Sequence, residues 1–468
     1  SAGGVVDTIT TGEDGTAQSQ PLYLGKFQVK EIEFPHGMVD TGENVTNVEL
    51  VYAGQEVEIT ETSASFYNQR QKAAIMLNKV LEQDEAFGIG MNGEISAVTF
   101  GLYAQADITA ADGSVIPADG LLEILSVPEN SQALCATDLP FGSFYLKELS
   151  TNSHYLLNGE TFPFTFEYGG PSLAVLEISA NNGEPVTNEL IRGEIKGLKT
   201  DENGTGLSGA VIGLFRSDET EFTLENALVT ATSAEGGAFS FSNIPYGNWV
   251  LKELESPEGF ILSDEIIPVT VEEDGQVVEI SLANERIYGD LRITKVDKDY
   301  PDNKLTGAEF EVYRDTNGNK ELDESDELLG KMEETSTGIY EMCHILSGGV
   351  FVKETKAPEG FLLDGNAYHV EITENGKIYE VENEAGKGFV NAAQTGSLRI
   401  EKTSSDGRLE GFSFRVTGAN GYDQIFKTDS AGKIEIKGLR VGDYTVSEVS
   451  DGVSANYVLP ADKTVTIL

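Results

Sequence analysis

The sequence predicts an all-β protein, a tandem and elongated array of β-sandwich units, on three observations. First, an asparagine stands eleven residues ahead of a lysine four times, at Asn68 and Lys79, Asn188 and Lys199, Asn284 and Lys295, and Asn391 and Lys402. The distance between successive lysines varies while this interval does not, so the interval marks junctions between units whose loops differ in length. Second, a glutamate closes an apolar strand-like run once per period: Glu31, Glu148, Glu253, Glu354 and Glu448. Third, short β-type runs alternate with Gly, Asp and Asn turns, and helical periodicity is nearly absent.

The expected boundaries are 1–70 (a partial unit), 71–190, 191–287, 288–393 and 394–468 (a unit lacking its last strand). Units of about 100 residues are large enough to bury separate cores. In the unit 191–287 the runs GEIKGLKTDENGTGL, GAVIGLF, GGAFSFSNIPYGNWVLKE and IIPVTVEEDGQVVEISLAN give five or more strands. The unit 288–393 repeats the order with GDLRITKVDKD, GAEFEVYRD, GVFVKETKAPEGF and FVN. Only QRQKAAIMLNKVLEQ at 69–83 has the composition of a helix. The register that places Lys79 with Lys199 and Lys295 makes it a strand instead.

Composition narrows the function. The chain has 468 residues and a formal net charge of −46 without a basic patch, which disfavours nucleic acid and anionic lipid. The bland account of that charge is a well-solvated surface. No apolar run reaches the ~20 residues of a membrane span, and no signal peptide stands at Ser1, as expected of a mature or trimmed fragment. Cys135 and Cys343 fall in different units, which argues against a disulfide framework and suggests two small core residues.

Strand direction makes the polar repeats informative, because residues i and i−2 of a strand share a face. Ile75 and Leu77, Ile195 and Gly197, Leu291 and Ile293, and Leu398 and Ile400 precede the lysines. Phe27 and Val29, Phe144 and Leu146, Trp249 and Leu251, Val350 and Val352, and Tyr444 and Val446 precede the glutamates; Phe66, Val186, Leu282 and Phe389 precede the asparagines. A single strand-end lysine is ordinarily a snorkelling surface residue. Here all three polar types continue apolar faces, and unpaired burial of charge is costly, so they should meet one another. An apolar setting favours the neutral amine and the protonated acid. Such an amine can attack the asparagine carboxamide, with the glutamate moving protons, release ammonia and leave a Lys–Asn isopeptide bond. The alternative is a satisfied but uncrosslinked polar trio.

The combination of K-x-D after a first strand, G-A-x-F-x-L-Y, G-x-Y-x-x-K-E-x-x-A-P-E-G-F and a closing strand ending in Asn resembles the Cna B-type, or SpaA-type pilin, domains of Gram-positive surface adhesins. KELESPEGF at 252–260 and KETKAPEGF at 353–361 carry the resemblance most closely. It implies a Greek-key prealbumin-like sandwich in which Lys of the first strand joins Asn of the last, with Glu as catalyst. Carried over by position, this gives Lys79, Glu148 and Asn188; Lys199, Glu253 and Asn284; Lys295, Glu354 and Asn391. The unit 71–190 departs in having KELSTNSHYLL without the Pro-Glu-Gly turn. The first unit has Glu31 and Asn68 but no lysine strand, and the last has Lys402 and Glu448 but no closing Asn. Trimming of a longer array is the expected reason; strand addition from another chain is the alternative.

Other signals are weaker. D315-T-N-G-N-K-E-L-D-E-S-D326 places Asp315, Asn317, Asn319, Glu321, Asp323 and Asp326 at calcium-loop positions, but Lys320 stands where such a loop wants Gly and Asp326 where it wants Glu. An acidic hairpin turn is the competing reading. GIGMNG at 88–93 lacks the βαβ context of a nucleotide loop. His36, His154, His344 and His369 show no triad or zinc spacing, and no nucleophile motif appears. No cofactor is required, with Ca²⁺ as the one candidate.

Three functional classes follow. A structural stalk of a cell-surface adhesin, extracellular and anchored to the cell wall outside this segment, is favoured because no unit carries a specialised site. A ligand-binding adhesin region recognising a host or matrix protein would use the insertion-rich face at 84–146. A polymerising pilin should show sorting and linkage motifs, which are not seen. An enzyme acting on external substrate fits least, since the inferred chemistry happens once per unit.

Overall fold

The computed structural model describes residues 3–109, 113–130 and 135–468, with the backbone alone at 135–137. The insertion-rich segment 84–146 therefore lies partly outside the described residues. Within them the protein is β throughout, with three short 3₁₀ turns at Glu94–Ala97, Ala180–Gly183 and Ala419–Gly421.

Each complete unit is two facing sheets. In the segment 192–284 one sheet has the order Ala238–Pro245, Arg192–Asp201, Val277–Asn284, and the other Val229–Thr232, Val211–Arg216, Gly247–Glu255, Ile266–Val271. The lysine strand Arg192–Asp201 is the centre of its sheet, and the closing strand Val277–Asn284 returns parallel to it. Tyr288–Asp297 is likewise parallel to Ile378–Glu380 and to Phe389–Asn391. Lys72–Met76 and Lys79–Leu81 pair in parallel with Val175–Ser179 and Val186–Asn188, so the helix-like composition of 69–83 yields to the sheet. In all three the glutamate sits on a central strand of the opposite sheet: Gly142–Ser150, Gly247–Glu255 or Gly348–Lys356.

The strand faces pack as the alternation implies. Ile75, Ile195, Leu291 and Ile293 are fully buried, as are Phe144, Leu146, Leu251, Val350 and Val352. Gly197 is the apparent exception among the inward positions, and packing explains it. A Cβ at Gly197 would lie 2.0 Å from the Phe239 ring, so a neighbouring aromatic fills the place of the missing side chain.

Cys343 corrects the expectation of a core thiol: it is exposed. The pairing of Ile339–Leu346 with the lysine strand slips between Gly289 and Leu291, and His344 adopts φ 61°. Tyr340 and Ile345 are buried on either side of this irregularity, and Cys343 falls out of phase with both. The side chain of Cys135 lies outside the described residues.

The junctions repeat as closely as the sheets. The residue three places after each asparagine binds backward and forward through its backbone. The amides of Ile191, Ile287 and Gln394 donate to the carbonyls of His154, Gly259 and Gly360 in the preceding unit. Their own carbonyls accept from the amides of Tyr246, Ser347 and Val441 in the following one. Gln71, three residues after Asn68, makes the backward bond to Gly37. Side chains add to two joints. Arg192 bridges Glu82 and Asp84, each at 2.9 Å, and the rings of Phe87 and Trp249 meet at 5.0 Å. Arg440 grips Asp297 and Asp299 and lies over the Tyr300 ring.

Candidate functional site: a buried Lys–Glu–Asn trio in three units

Parallel pairing brings lysine and asparagine to one place. In each complete unit the asparagine aligns with the residue two beyond the lysine: Leu81 with Asn188, Asp201 with Asn284, Asp297 with Asn391. Residues two apart share a face, so both side chains project toward the opposite sheet, where the glutamate strand passes.

The geometry is nearly the same three times. Lys79, Lys199 and Lys295 are 0% exposed, and Glu148, Glu253, Glu354 and their asparagines are buried with them. The Nζ atoms donate to Oδ1 of Asn188, Asn284 and Asn391. Each Nζ also lies 3.3–3.6 Å from a glutamate Oε1. On the far side of the carboxamide, Asn Nδ2 donates to the same carboxylate at 2.8–2.9 Å. The carboxylate therefore touches both the amine and the amide nitrogen that would leave. Burial pushes Lys79, Lys199 and Lys295 below the ordinary lysine range, against the opposing pull of the glutamate; Lys295 is brought to about 8.

One contributor has no side-chain signature. The backbone N–H ten residues after each glutamate, at Asn158, Ser263 and Asp364, donates to Oε2 at 2.6, 2.9 and 2.9 Å. It fixes the carboxylate so that Oε1 faces the lysine. The constant ten-residue offset was the available signal, hidden because three different residue types occupy it. In the unit 71–190 the bond forms although the Pro-Glu-Gly turn is absent, so loop composition does not decide it.

Arranged this way, the site can transfer an acyl group once. A buried amine that gives up its proton more readily than an exposed lysine, set beside a carboxamide with one carboxylate touching both nitrogens, is a layout for amide exchange. The end units hold only parts of it. Asn68 donates to Glu31 at 2.8 Å and Lys402 binds Glu448 at 2.7 Å, and among the described residues no third member of the trio is bonded to either pair.

The family described as SpaA, a prealbumin-like fold domain, matches residues 193–286, 289–387 and 396–467, more than half of the chain. The chain belongs to this SpaA family. Among solved structures, the SpaA-type array is similar to the Bacillus anthracis TIE protein at 22% identity and TM-score 0.47, covering 80% of this chain and 66% of that one. It is similar to BcpA, the major pilin subunit of Bacillus cereus, at 14% identity and TM-score 0.30, covering 59% of this chain and 95% of that one. It is also similar to the major pilin SpaD from Corynebacterium diphtheriae at 13% identity and TM-score 0.19, covering 56% and 87%. No curated protein matches. The SpaA match rests on sequence and agrees with the all-β tandem sheets described above.

The remaining sequence candidates take other places. In the loop 315–326 the carboxylates accept bonds from the loop itself: Asp315 from the amides of Gly318 and Lys320, Asp326 from those of Thr316 and Asp323. The Asn319 carbonyl accepts from the amide of Glu321, and Asp323 binds the side chains of Asn317 and Asn319 and is held down at about 2 by Ser325 and these amides. Lys320 adopts φ 61°, the conformation a calcium loop reserves for Gly. Among the described residues no three His, Cys, Asp or Glu are gathered as metal ligands. The GIGMNG run serves a joint: Arg216 donates to the Phe87 carbonyl, and Glu94 caps the amides of Gly90 and Asn92. No helix among the described residues is long and apolar enough to cross a membrane.

Proposed function

We propose that this chain is a structural stalk of a bacterial cell-surface adhesin or pilus-like protein, stiffened by autocatalytic isopeptide bonds Lys79–Asn188, Lys199–Asn284 and Lys295–Asn391. The single observation that supports it most is the threefold burial of the same trio with a carboxylate spanning nucleophile and leaving group. In the proposed reaction the proton of the buried lysine passes to glutamate, and Nζ adds to Cγ of asparagine. The carbonyl reforms as the Cγ–Nδ2 bond breaks, and glutamate returns the proton so that nitrogen departs as ammonia. Each site acts once and takes no external substrate, so the protein is not a turnover enzyme.

The mechanical reading rests on where the ties fall. Entry and exit strands of a unit lie side by side, so tension passes through the bond and bypasses most of the sandwich. The backward and forward backbone bonds at Ile191, Ile287 and Gln394 support stiff joints. Location at the cell surface, wall anchoring through sequence outside this segment and engagement of a host or matrix protein belong to the same proposal. Intact mass tests it: a chain lighter by three ammonias supports the reading, and an unmodified mass ends it. Calcium at 315–326 is a separate proposal, since binding must take Asp315 and Asp326 from the loop's own amides. Calorimetric uptake abolished by Asp315→Ala would support it, and absence of heat would dismiss it.

A further inference from the structure

The three complete units close in two ways. In the unit 191–287 the closing strand Val277–Asn284 runs unbroken for 8 residues and pairs with the lysine strand along all of them. In the other two units it is interrupted just ahead of the reactive asparagine. Only Val186–Asn188 and Phe389–Asn391, 3 residues each, pair beside Lys79 and Lys295, and the run before each belongs to a separate strand, Val175–Ser179 or Ile378–Glu380. Among the described residues these short pieces have a strand neighbour on one side only. A ladder of 3 residues holds an asparagine less firmly than one of 8.

A side chain supplies what the short ladder lacks, and it does so through the residue ten places after the glutamate. Asn158, Ser263 and Asp364 share one local bond, in which a side-chain oxygen accepts from the amide two residues on: Glu160 at 2.9 Å, Glu265 at 3.2 Å and Asn366 at 3.0 Å. Asn158 makes a further bond. Its Nδ2 donates to the carbonyl of Thr187, the residue before Asn188, at 3.2 Å. The carboxylate of Asp364 has no proton to donate, and Asn383 stands between it and the strand. Asn383 Nδ2 donates to Asp364 Oδ2 at 2.8 Å and to the Val390 carbonyl at 2.9 Å, while its Oδ1 accepts from the Val390 amide at 2.7 Å. One carboxamide thus pairs with Val390 as a neighbouring strand would. Asn383 lies in the excursion 381–388 that interrupts the strand, and Glu384 beside it binds Lys298 at 2.8 Å and Lys387 at 3.0 Å. Among the described residues no side chain bonds the backbone of Ala283, before Asn284, where the ladder is unbroken.

We propose that the side chains of Asn158 and Asn383 are positioning groups for the amide exchange, each fixing the peptide that leads into the reactive asparagine so that its carboxamide meets the lysine amine. A peptide unit is planar, so a bond to the carbonyl of Thr187 or Val390 restrains the plane shared with Asn188 or Asn391 and with it the direction of that asparagine's side chain. These short pieces also touch the amine, since Nζ of Lys79 and Lys295 donates to the carbonyls of Val186 and Phe389 at 3.1 Å. The amides of Asn158 and Asp364 hold the glutamate at the same time, so one short loop registers proton carrier and carboxamide to each other. Neither positioning side chain takes part in the bonds that change: Nζ–Cγ forms, Cγ–Nδ2 breaks and ammonia leaves, as proposed above. The inference rests on that chemistry.

Cell-free synthesis of the full chain, stopped and then followed in time by intact mass and peptide mapping, reads the loss of ammonia unit by unit. Asn158→Ser keeps a local oxygen like that of Ser263 but cannot reach Thr187, and should slow the Lys79–Asn188 bond roughly 10- to 100-fold. Asn383→Ala should slow the Lys295–Asn391 bond by a similar factor. In each variant the two untouched units should keep the wild-type rate, as controls within the same molecule. Hydrogen exchange distinguishes positioning from general support of the fold. In an Asn391→Ala chain, where that tie cannot form, adding Asn383→Ala should expose the Val390 amide while the strand of buried Val350 and Val352 stays protected. A variant that reacts at the wild-type rate, or exchange that rises across the whole unit 288–393, would overturn the inference and leave the stalk reading intact. Loss of no ammonia by the wild-type chain would end both.

Discussion

Glu354→Ala offers the sharpest measurement of what one tie contributes. The substitution removes the carboxylate from between Lys295 Nζ at 3.6 Å and Asn391 Nδ2 at 2.9 Å, so the amine and carboxamide should remain unjoined. Lys295 and Asn391 are separated by 96 residues. In the chain-entropy description of a crosslink, a closed loop of ~100 residues contributes about 4.7 kcal/mol. For a domain of this size each kcal/mol moves the midpoint by about 4–8 °C, so the transition of the unit 288–393 should fall by roughly 20–40 °C. Scanning calorimetry of the whole chain should show one transition displaced and the others in place, and intact mass should show two ammonias lost instead of three. The reasoning is refuted if the variant still loses three, or if it loses two and every transition stays where it was.

In the untied variant Asn391→Ala, Lys295 should make stability depend on alkaline pH. Its folded value near 8 lies below the unfolded 10.5, so between them the unfolded chain holds more protons and stability should rise with pH across that window; denaturant melts at pH 7.5, 9 and 10.5 would show it, and a flat response would contradict it. Gly197→Val should destabilise by about 1–3 kcal/mol or more by overpacking against Phe239, whereas Leu198→Val next to it, 44% exposed, should be near neutral in the same melts. Arg440→Ala strips the guanidinium from buried Asp297 and should cost about 3–5 kcal/mol as a broken buried ion pair, with faster proteolysis at 391–396 as the accompanying readout. Unchanged cleavage there would mean the clamp does not hold that joint.

Much of the architecture was legible because two periodicities are simple. A fixed Asn-to-Lys interval marks the repeat, and strand alternation points Lys, Glu and Asn inward before any coordinate is known. Parallel pairing of first and last strands was not legible, because alternation fixes the face of a strand and not the direction of its neighbour. The amides of Asn158, Ser263 and Asp364 and the joint residues Ile191, Ile287 and Gln394 escaped because backbone atoms carry their bonds, leaving side chains free to vary. Cys343 was misplaced because a local slip in pairing shifts the phase of its strand, and such slips leave no mark in hydrophobic pattern. Arg440 reaches Asp297 across 143 residues, a pairing that no local spacing announces.

If the proposed ties form, the short interval between them bears on how the chain withstands proteolysis. Once Lys199 is joined to Asn284, a protease that cuts any loop between them leaves the two fragments attached, because a second covalent route crosses the gap. Within the stretch 79–391 that the three ties span, only a cut between an asparagine and the lysine eleven residues later parts the molecule. Those windows hold the lysine strand itself and the residues whose amides and carbonyls are engaged on both sides, so the few severable bonds are also the least accessible to an extended protease cleft.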